Sequence, residues 1–296
     1  MAREIDIGSL RRGDRGPGVA EATDMVVRFW GVRGSIASPG PDFVRYGGNT
    51  ACVELRCGDH LLILDAGTGL RPLGRALAAA GGTVDADLFC SHTHLDHIIG
   101  FPFFAPCYGS GNHIRVWAGH EAAKGDIGAV FRMTLTPPLF PDMTTSLKAA
   151  IEFENFVCGA SLSPKPGLLV RTKALNHPGG ACGYRIEWRG KSIAYVTDTE
   201  HRDGGLDANV LALADRADIV IYDAHYTDED YAAYVGWGHS TWQEAVKIAR
   251  RAAVKTLVLF HHDAARTDAM LDAIAAQAAR ALPGVIVARE GLALSI

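Results

Sequence analysis

The feature that most constrains this chain is the run Ser91-His92-Thr93-His94-Leu95-Asp96-His97, placed directly after the apolar stretch ADLFC. His92, His94, Asp96 and His97 can each bind a cation, and they fall within six residues. A loop at a strand end can turn all four toward one point, and imidazole with carboxylate suits zinc, manganese or iron. One ion cannot easily take all four from so short a loop, so the spacing predicts two ions. Three further candidates close apolar strand-like runs downstream: His177 after LLVRTKAL, Asp198 at the end of SIAYVTD and His261 after TLVLF, with His262 as a rival to His261. A carboxylate such as Asp198 can bridge two cations. A water shared by such a pair loses its proton near neutral pH and becomes a nucleophile.

The rest of the chain reads as a scaffold for that cluster. Residues 1–24 are charged and read as a loose N-terminal extension; 25–296 read as a single domain. MVVRFW (25–30), ACVELRC (51–57), HLLILDA (60–66), ADLFCS (86–91) and IRVWA (114–118) read as strands, with a helix running from Pro72 to Gly81. Residues 121–165 contain the proline-broken MTLTPPLFPDM and read as a loop or lid, whose Phe131, Phe140 and Phe153 are candidates to cover a base or sugar. Beyond them come the strands GYRIEW, KSIAYVTD, DIVIYDA, VKTLVLF and VIVA, and helices over 207–217, 241–253 and 268–282, with Ser240 or Thr241 capping the second. This order predicts an α/β fold of two face-to-face sheets with helices outside.

The set HTHLDH, His177, Asp198 and His261 resembles the metallo-β-lactamase superfamily, whose αββα sandwich holds two metals at one edge between the sheets. The resemblance covers the chain from about residue 25 to its end. It implies that His92, His94 and His177 bind one ion, that Asp96, His97 and His261 bind a second, and that Asp198 bridges. LVLFHHD resembles the LVLTHFS of ribonuclease Z and favours His261 over His262. Gly238-His239-Ser240-Thr241 resembles the HST segment of ribonuclease Z, which implies His239 as general acid or phosphate stabiliser. Its orienting carboxylate would be Asp223 of IYDAHY, where ribonuclease Z has Glu. Asp96 counts among the catalytic residues as well as the ligands. GVRGSIASPG, RYGGNTACVEL and LILDAGTGLRPLG resemble the opening of ribonuclease Z and its small cyclic-phosphodiesterase relatives, with Asp65 placed to orient a ligand histidine.

Ribonuclease Z carries a basic arm between the positions matching His177 and Asp198. Here that interval is PGGACGYRIEWRGKSIAYVT, a turn and two strands. The net charge of −4, from 29 basic and 33 acidic residues, gives no broad grip on nucleic acid. Both observations read against transfer-RNA maturation. They favour a dinuclear phosphodiesterase acting on a small diester, a cyclic nucleotide or cyclic phosphate, with zinc first and manganese or iron next as its two divalent ions. The alternatives are a lactone, thioester or β-lactam hydrolase on the same metals, ribonuclease Z-type RNA processing, and a non-enzymatic role. The ribonuclease Z resemblance also implies a homodimer. No apolar run approaches the ~20 residues of a membrane helix, and the charged opening residues read against a secretory signal. The six cysteines form no CxxC pair. They read as buried apolar residues of a cytoplasmic protein.

Overall fold

The computed structural model describes residues 2–5, 25–120, 125–202 and 205–296. The apolar runs pair into two mixed sheets. The first has the order β1 (Arg3–Glu4), β15 (Ala293–Ser295), β2 (Met25–Gly31), β3 (Cys52–Cys57), β4 (His60–Leu64), β5 (Asp85–Cys90), β6 (His113–Ala118) and β7 (Ala150–Asn155). The second has the order β14 (Ile286–Val287), β13 (Leu257–Phe260), β12 (Ile219–Asp223), β11 (Lys191–Val196), β10 (Ala181–Trp188), β9 (Leu168–Leu175) and β8 (Ser161–Leu162). Burial alternates along β2, so Met25, Val27 and Phe29 face inward. They share an inner core with Tyr184, Ile221 and Phe260 of the other sheet. Strands β12 and β13 are buried on both faces, as central parallel strands are.

Helices close both outer faces. Helix α1 (Leu70–Ala80) and α3 (Ile127–Met133) cover the first sheet. Helices α4 (Ala208–Ala214), α6 (Trp242–Arg251) and α7 (Asp268–Ala281) cover the second. The result is the expected αββα sandwich. Of the two candidate caps for α6, Thr241 serves, its Oγ1 accepting the Glu244 N–H at 3.1 Å. Ser240 instead places its Oγ near Tyr222 and His201.

Two sequence expectations need correction. Arg3–Glu4 is not loose: it pairs with β15 as an edge strand, while residues 6–24 lie outside the described residues. The 121–165 stretch is not a lid throughout, because α3, β7 and β8 lie within it; residues 121–124 are outside the described residues. Its three candidate rings pack on other rings, whereas Phe156 lines a cavity beside His177. Phe131 is buried, 4.7 Å edge-on to Phe101 and 5.9 Å from Phe153, and Phe140 packs edge-on at 5.5 Å on Phe103. Packing of Phe131 and Phe153 under the first sheet outweighs the loop signal of the prolines. All six cysteines are free and five are buried. No helix of the described residues is long and apolar enough to cross a membrane.

Strands β4 to β7 run parallel, as do β11 to β14. The carboxyl ends of each set therefore share one edge, where open sheets place their ligands.

Candidate metal centre

Every candidate ligand follows the carboxyl end of a strand. After β5 the chain bends at Ser91, His94 keeps an extended backbone, and the ligand atoms of His92 and His94 meet in one cluster with His177. The short helix α2 (Leu95–Ile98) then turns Asp96 and His97 inward while Leu95 stays exposed. That change of backbone is how six residues supply four converging groups. His177 follows β9, Asp198 follows β11 and His261 follows β13. Asp65, Asp198 and His261 adopt left-handed φ values of 61°, 54° and 59°. Each such corner costs a non-glycine residue on the order of 1 kcal/mol or more, and it swings the side chain back over the sheet edge.

The ligand atoms form two clusters that share Asp198. In the first, His94 Nδ1 lies 3.1 Å from His177 Nε2, and Asp198 Oδ1 lies 3.7 Å from His92 Nε2 and 3.8 Å from His177 Nε2. In the second, His97 Nε2 lies 3.1 Å from Asp96 Oδ2, 3.2 Å from His261 Nε2 and 3.2 Å from Asp198 Oδ2. His261 Nε2 completes it, 3.4 Å from Asp96 Oδ2 and 3.3 Å from Asp198 Oδ2. Tetrahedral ligands at about 2.0–2.1 Å from zinc stand roughly 3.3 Å apart, so both clusters have the size of a cation site. The buried His92 Nε2 has no hydrogen-bond partner, as a ligand nitrogen requires. The residues fit two ions.

Outer contacts set which nitrogen each imidazole presents. His97 Nδ1 donates to Asp65 Oδ2 at 2.8 Å, and Asp65 also accepts from Ser91 N, Ser91 Oγ and the Tyr195 hydroxyl. His177 Nδ1 donates to the Gly238 carbonyl at 2.8 Å. Both leave Nε2 facing the cluster with its lone pair free. Gly238 has φ 88°, and a Cβ there would sit 2.3 Å from His177 Nδ1. His262 is excluded as a ligand by its geometry: its Nε2 faces the Ala288 carbonyl at 2.9 Å, and burial pushes its pKa down to about 3.

The electrostatics demand positive charge. Burial opposes ionisation of Asp198, but His261, His97 and His92 hold its pKa well below the usual carboxylate range. Burial likewise opposes a charge on His97, yet Asp198, Asp96 and Asp65 hold its pKa well above the ordinary imidazole value. Without cations, a proton on His97 supplies charge to these carboxylates, while burial holds His92 and His177 toward the neutral form.

His239 and Asp223 are in contact: Nδ1 donates to Asp223 Oδ2 at 3.0 Å, within the reach of the shorter carboxylate. The same Nδ1 lies 3.8 Å from Asp198 Oδ1. Three residues escaped the sequence reading. His225 stacks on His239 at 4.2 Å and donates from Nδ1 to the His261 carbonyl at 3.0 Å; it stands inside the quoted IYDAHY. Glu200 binds the backbone ahead of His239 through Gly238 N at 2.8 Å. His120 lies 3.2 Å from Thr93 Oγ1 and helps line a cavity of about 700 Å³, with Phe156, Leu175 and Arg202, that opens beside His177.

Gly34 supplies a test of the second cluster. A Cβ there would lie 2.5 Å from His261 Cε1 and 2.8 Å from His225 Nδ1. Gly34→Ala is expected to displace His261 and lower metal affinity about 10- to 100-fold, as lost support of a ligand does. Competition with a chelator measures this; unchanged affinity would show that the second cluster does not depend on this close packing.

The family model of the β-lactamase superfamily domain matches residues 60–262. The chain is 26% identical to ribonuclease Z of Haloarcula marismortui over 316 aligned positions, covering 90% of this chain and 96% of the relative. It is 34% identical to ribonuclease Z of Gemmatimonas aurantiaca over 108 residues, and that match spans only 32% of the relative's length. Among solved structures, the metallo-β-lactamase fold protein YhfI from Bacillus subtilis superposes with a TM-score of 0.68 at 20% identity, covering 93% of this chain and 100% of the other. The short form of human tRNase Z gives 0.63 at 19% identity, covering 90% and 98%. A diphosphatase of the PhnP family gives 0.66 at 19%, covering 92% and 97%. At these identities the likeness to the solved structures is one of fold.

Proposed function

The chain belongs to the metallo-β-lactamase superfamily, and from that premise we propose that it is a dinuclear metal-dependent phosphodiesterase for a small diester, a cyclic nucleotide or cyclic phosphate. The observation that carries this reading is the Asp198 carboxylate, whose two oxygens face two separate histidine clusters beside the His239–Asp223 pair. His92, His94, His177 and Asp198 would hold one cation; Asp96, His97, His261 and Asp198 the other. Two bound divalent ions, zinc first and manganese or iron next, supply charge neutralisation for the phosphate and a lowered pKa for water. Asp96, whose Oδ2 accepts the Ser35 N–H at 2.8 Å, is held in place to orient that water. His239 keeps Nδ1 on Asp223 and releases the proton of Nε2 to the leaving oxygen, acting as general acid.

A second reading, ribonuclease Z-type RNA processing, is favoured by the names of the relatives and by the end-to-end alignment with the Haloarcula enzyme. The net charge of −4 counts against it, as does the interval 178–197, which holds only a turn with β10 and β11. We read a second copy of the chain as its partner, which sedimentation tests. The deciding experiment is a panel of cyclic mononucleotides, cyclic dinucleotides, 2′,3′-cyclic phosphates, precursor transfer RNA, a lactone and nitrocefin, offered to metal-reconstituted protein. Turnover of small cyclic diesters is expected. Cleavage of the lactone or nitrocefin with every diester intact defeats the proposal.

A further inference from the structure

The segment joining α5 (Asp228–Tyr231) to His239 is a fastened loop that presents an aromatic ring to solvent. Glu200 does the fastening. Its Oε1 accepts from Gly236 N at 2.7 Å and from the Tyr231 hydroxyl at 2.9 Å, and its Oε2 accepts from Gly238 N at 2.8 Å. Glu200 is itself tied to the neighbour of His177, through Asn176 Nδ2 donating to the Glu200 carbonyl at 2.8 Å. On this loop Trp237 is 63% exposed and Tyr234 36% exposed. Indoles bury a large apolar area when they can. Here three hydrogen bonds to one buried carboxylate hold the loop in a shape that keeps the indole in water.

The rings continue inward to the metal centre. Trp237 meets Tyr234 edge-on at 5.5 Å, Tyr234 stacks on Tyr226 at 4.7 Å and 5°, and Tyr226 meets His239 edge-on at 5.9 Å. Trp237 also directly precedes Gly238, whose carbonyl orients His177. Phe131 and Phe153 of the 121–165 stretch pack in the outer layer of the first sheet and Phe156 lines the cavity beside His177, whereas Trp237 and Tyr234 present exposed rings on the loop that leads to His239. We propose that Trp237, backed by Tyr234, is a stacking platform for a planar ring of the substrate, so that the diester carries a heteroaromatic base rather than a bare sugar. This rests on the phosphodiesterase reading above. Stacking is tolerant of which base is present, because every base offers a π-face.

Product analogues with and without the ring test it: adenosine monophosphate and ribose 5-phosphate, titrated calorimetrically into the metal-loaded and the metal-stripped protein. Wild type is expected to bind the nucleotide at least about tenfold more tightly, the scale of one base on one aromatic face. Trp237→Ala is expected to bring that ratio to within about twofold, while Trp237→Phe, which restores a ring, keeps most of it. Thermal melts of both variants report folding. Undetectable nucleotide binding, a ratio near one in wild type, or an unchanged ratio in Trp237→Ala overturns the inference. So does a Trp237→Ala variant that only turns a dimer into monomers, because the ring would then be a contact between copies. The parent reading is scored separately by wild-type turnover of bis(p-nitrophenyl) phosphate. No turnover with the ring preference intact would sink the phosphodiesterase and leave the platform standing.

Discussion

Asp198→Ala is expected to abolish hydrolysis of bis(p-nitrophenyl) phosphate, with a loss of roughly a thousandfold or more, while the protein stays folded. Removing the carboxylate strips one oxygen from each cluster at once: Oδ1, within 3.8 Å of His92 and His177, and Oδ2, within 3.3 Å of His97 and His261. Cation stabilisation of a phosphoryl transition state is worth several kcal/mol, and about 1.4 kcal/mol is tenfold in rate. The fold should survive because Asp198 sits beyond the end of β11, outside the inner core formed by Phe29, Tyr184 and Phe260. Elemental analysis should find both ions diminished. A variant with full metal content and undiminished turnover would overturn the shared role of this carboxylate.

The second large effect concerns proton delivery. His239→Ala is expected to lower turnover roughly a hundredfold to ten-thousandfold with metal content unchanged, the range for loss of a general acid. In the protein without cations, burial pulls the His239 pKa down, but Asp223 outweighs it and holds the value at about 9. The ring therefore carries its proton across the neutral range. Because this value is raised above the ordinary one near 6.5, the pair stabilises the metal-free protein fully below about pH 6.5. That contribution fades as pH climbs through about 9. Asp223→Asn should return the titration toward the ordinary value, read by NMR of the imidazole, and remove that part of the pH dependence of urea unfolding. A His239 that titrates identically in both proteins would break the link to Asp223.

The candidate centre was legible because its proposed ligands follow apolar runs that read as strands. HTHLDH after ADLFC, Asp198 after SIAYV and His261 after TLVLF each announce a strand end, and parallel strands gather such ends on one edge. Less legible were elements whose burial is partial. Strand β7, AIEFEN, is exposed at every second position or more, so no clean apolar alternation marks it. Phe131 was misplaced because the prolines after it dominate the local signal, while its burial depends on Phe101, far away in sequence. Arg33 was unreadable for the same reason. It is fully buried, with Nε donating to the Gly47 carbonyl at 2.8 Å and Nη1 to that of Arg266 at 2.6 Å, and no local pattern tells a buried guanidinium from an exposed one. His225 sat in plain view, but its contact with His239 arises only when Tyr226 bridges to Thr241.

The left-handed corners at Asp65, Asp198 and His261 bear on how this chain would respond to selection in the laboratory. Glycine would relieve the backbone strain at each, but at Asp65 it would leave the Ser91 N–H and the Tyr195 hydroxyl without an acceptor, so the strain can be removed only by giving up contacts that hold the site together. Hardier variants that still work must be sought on the solvent side of helices such as α7, where improvement and turnover do not compete.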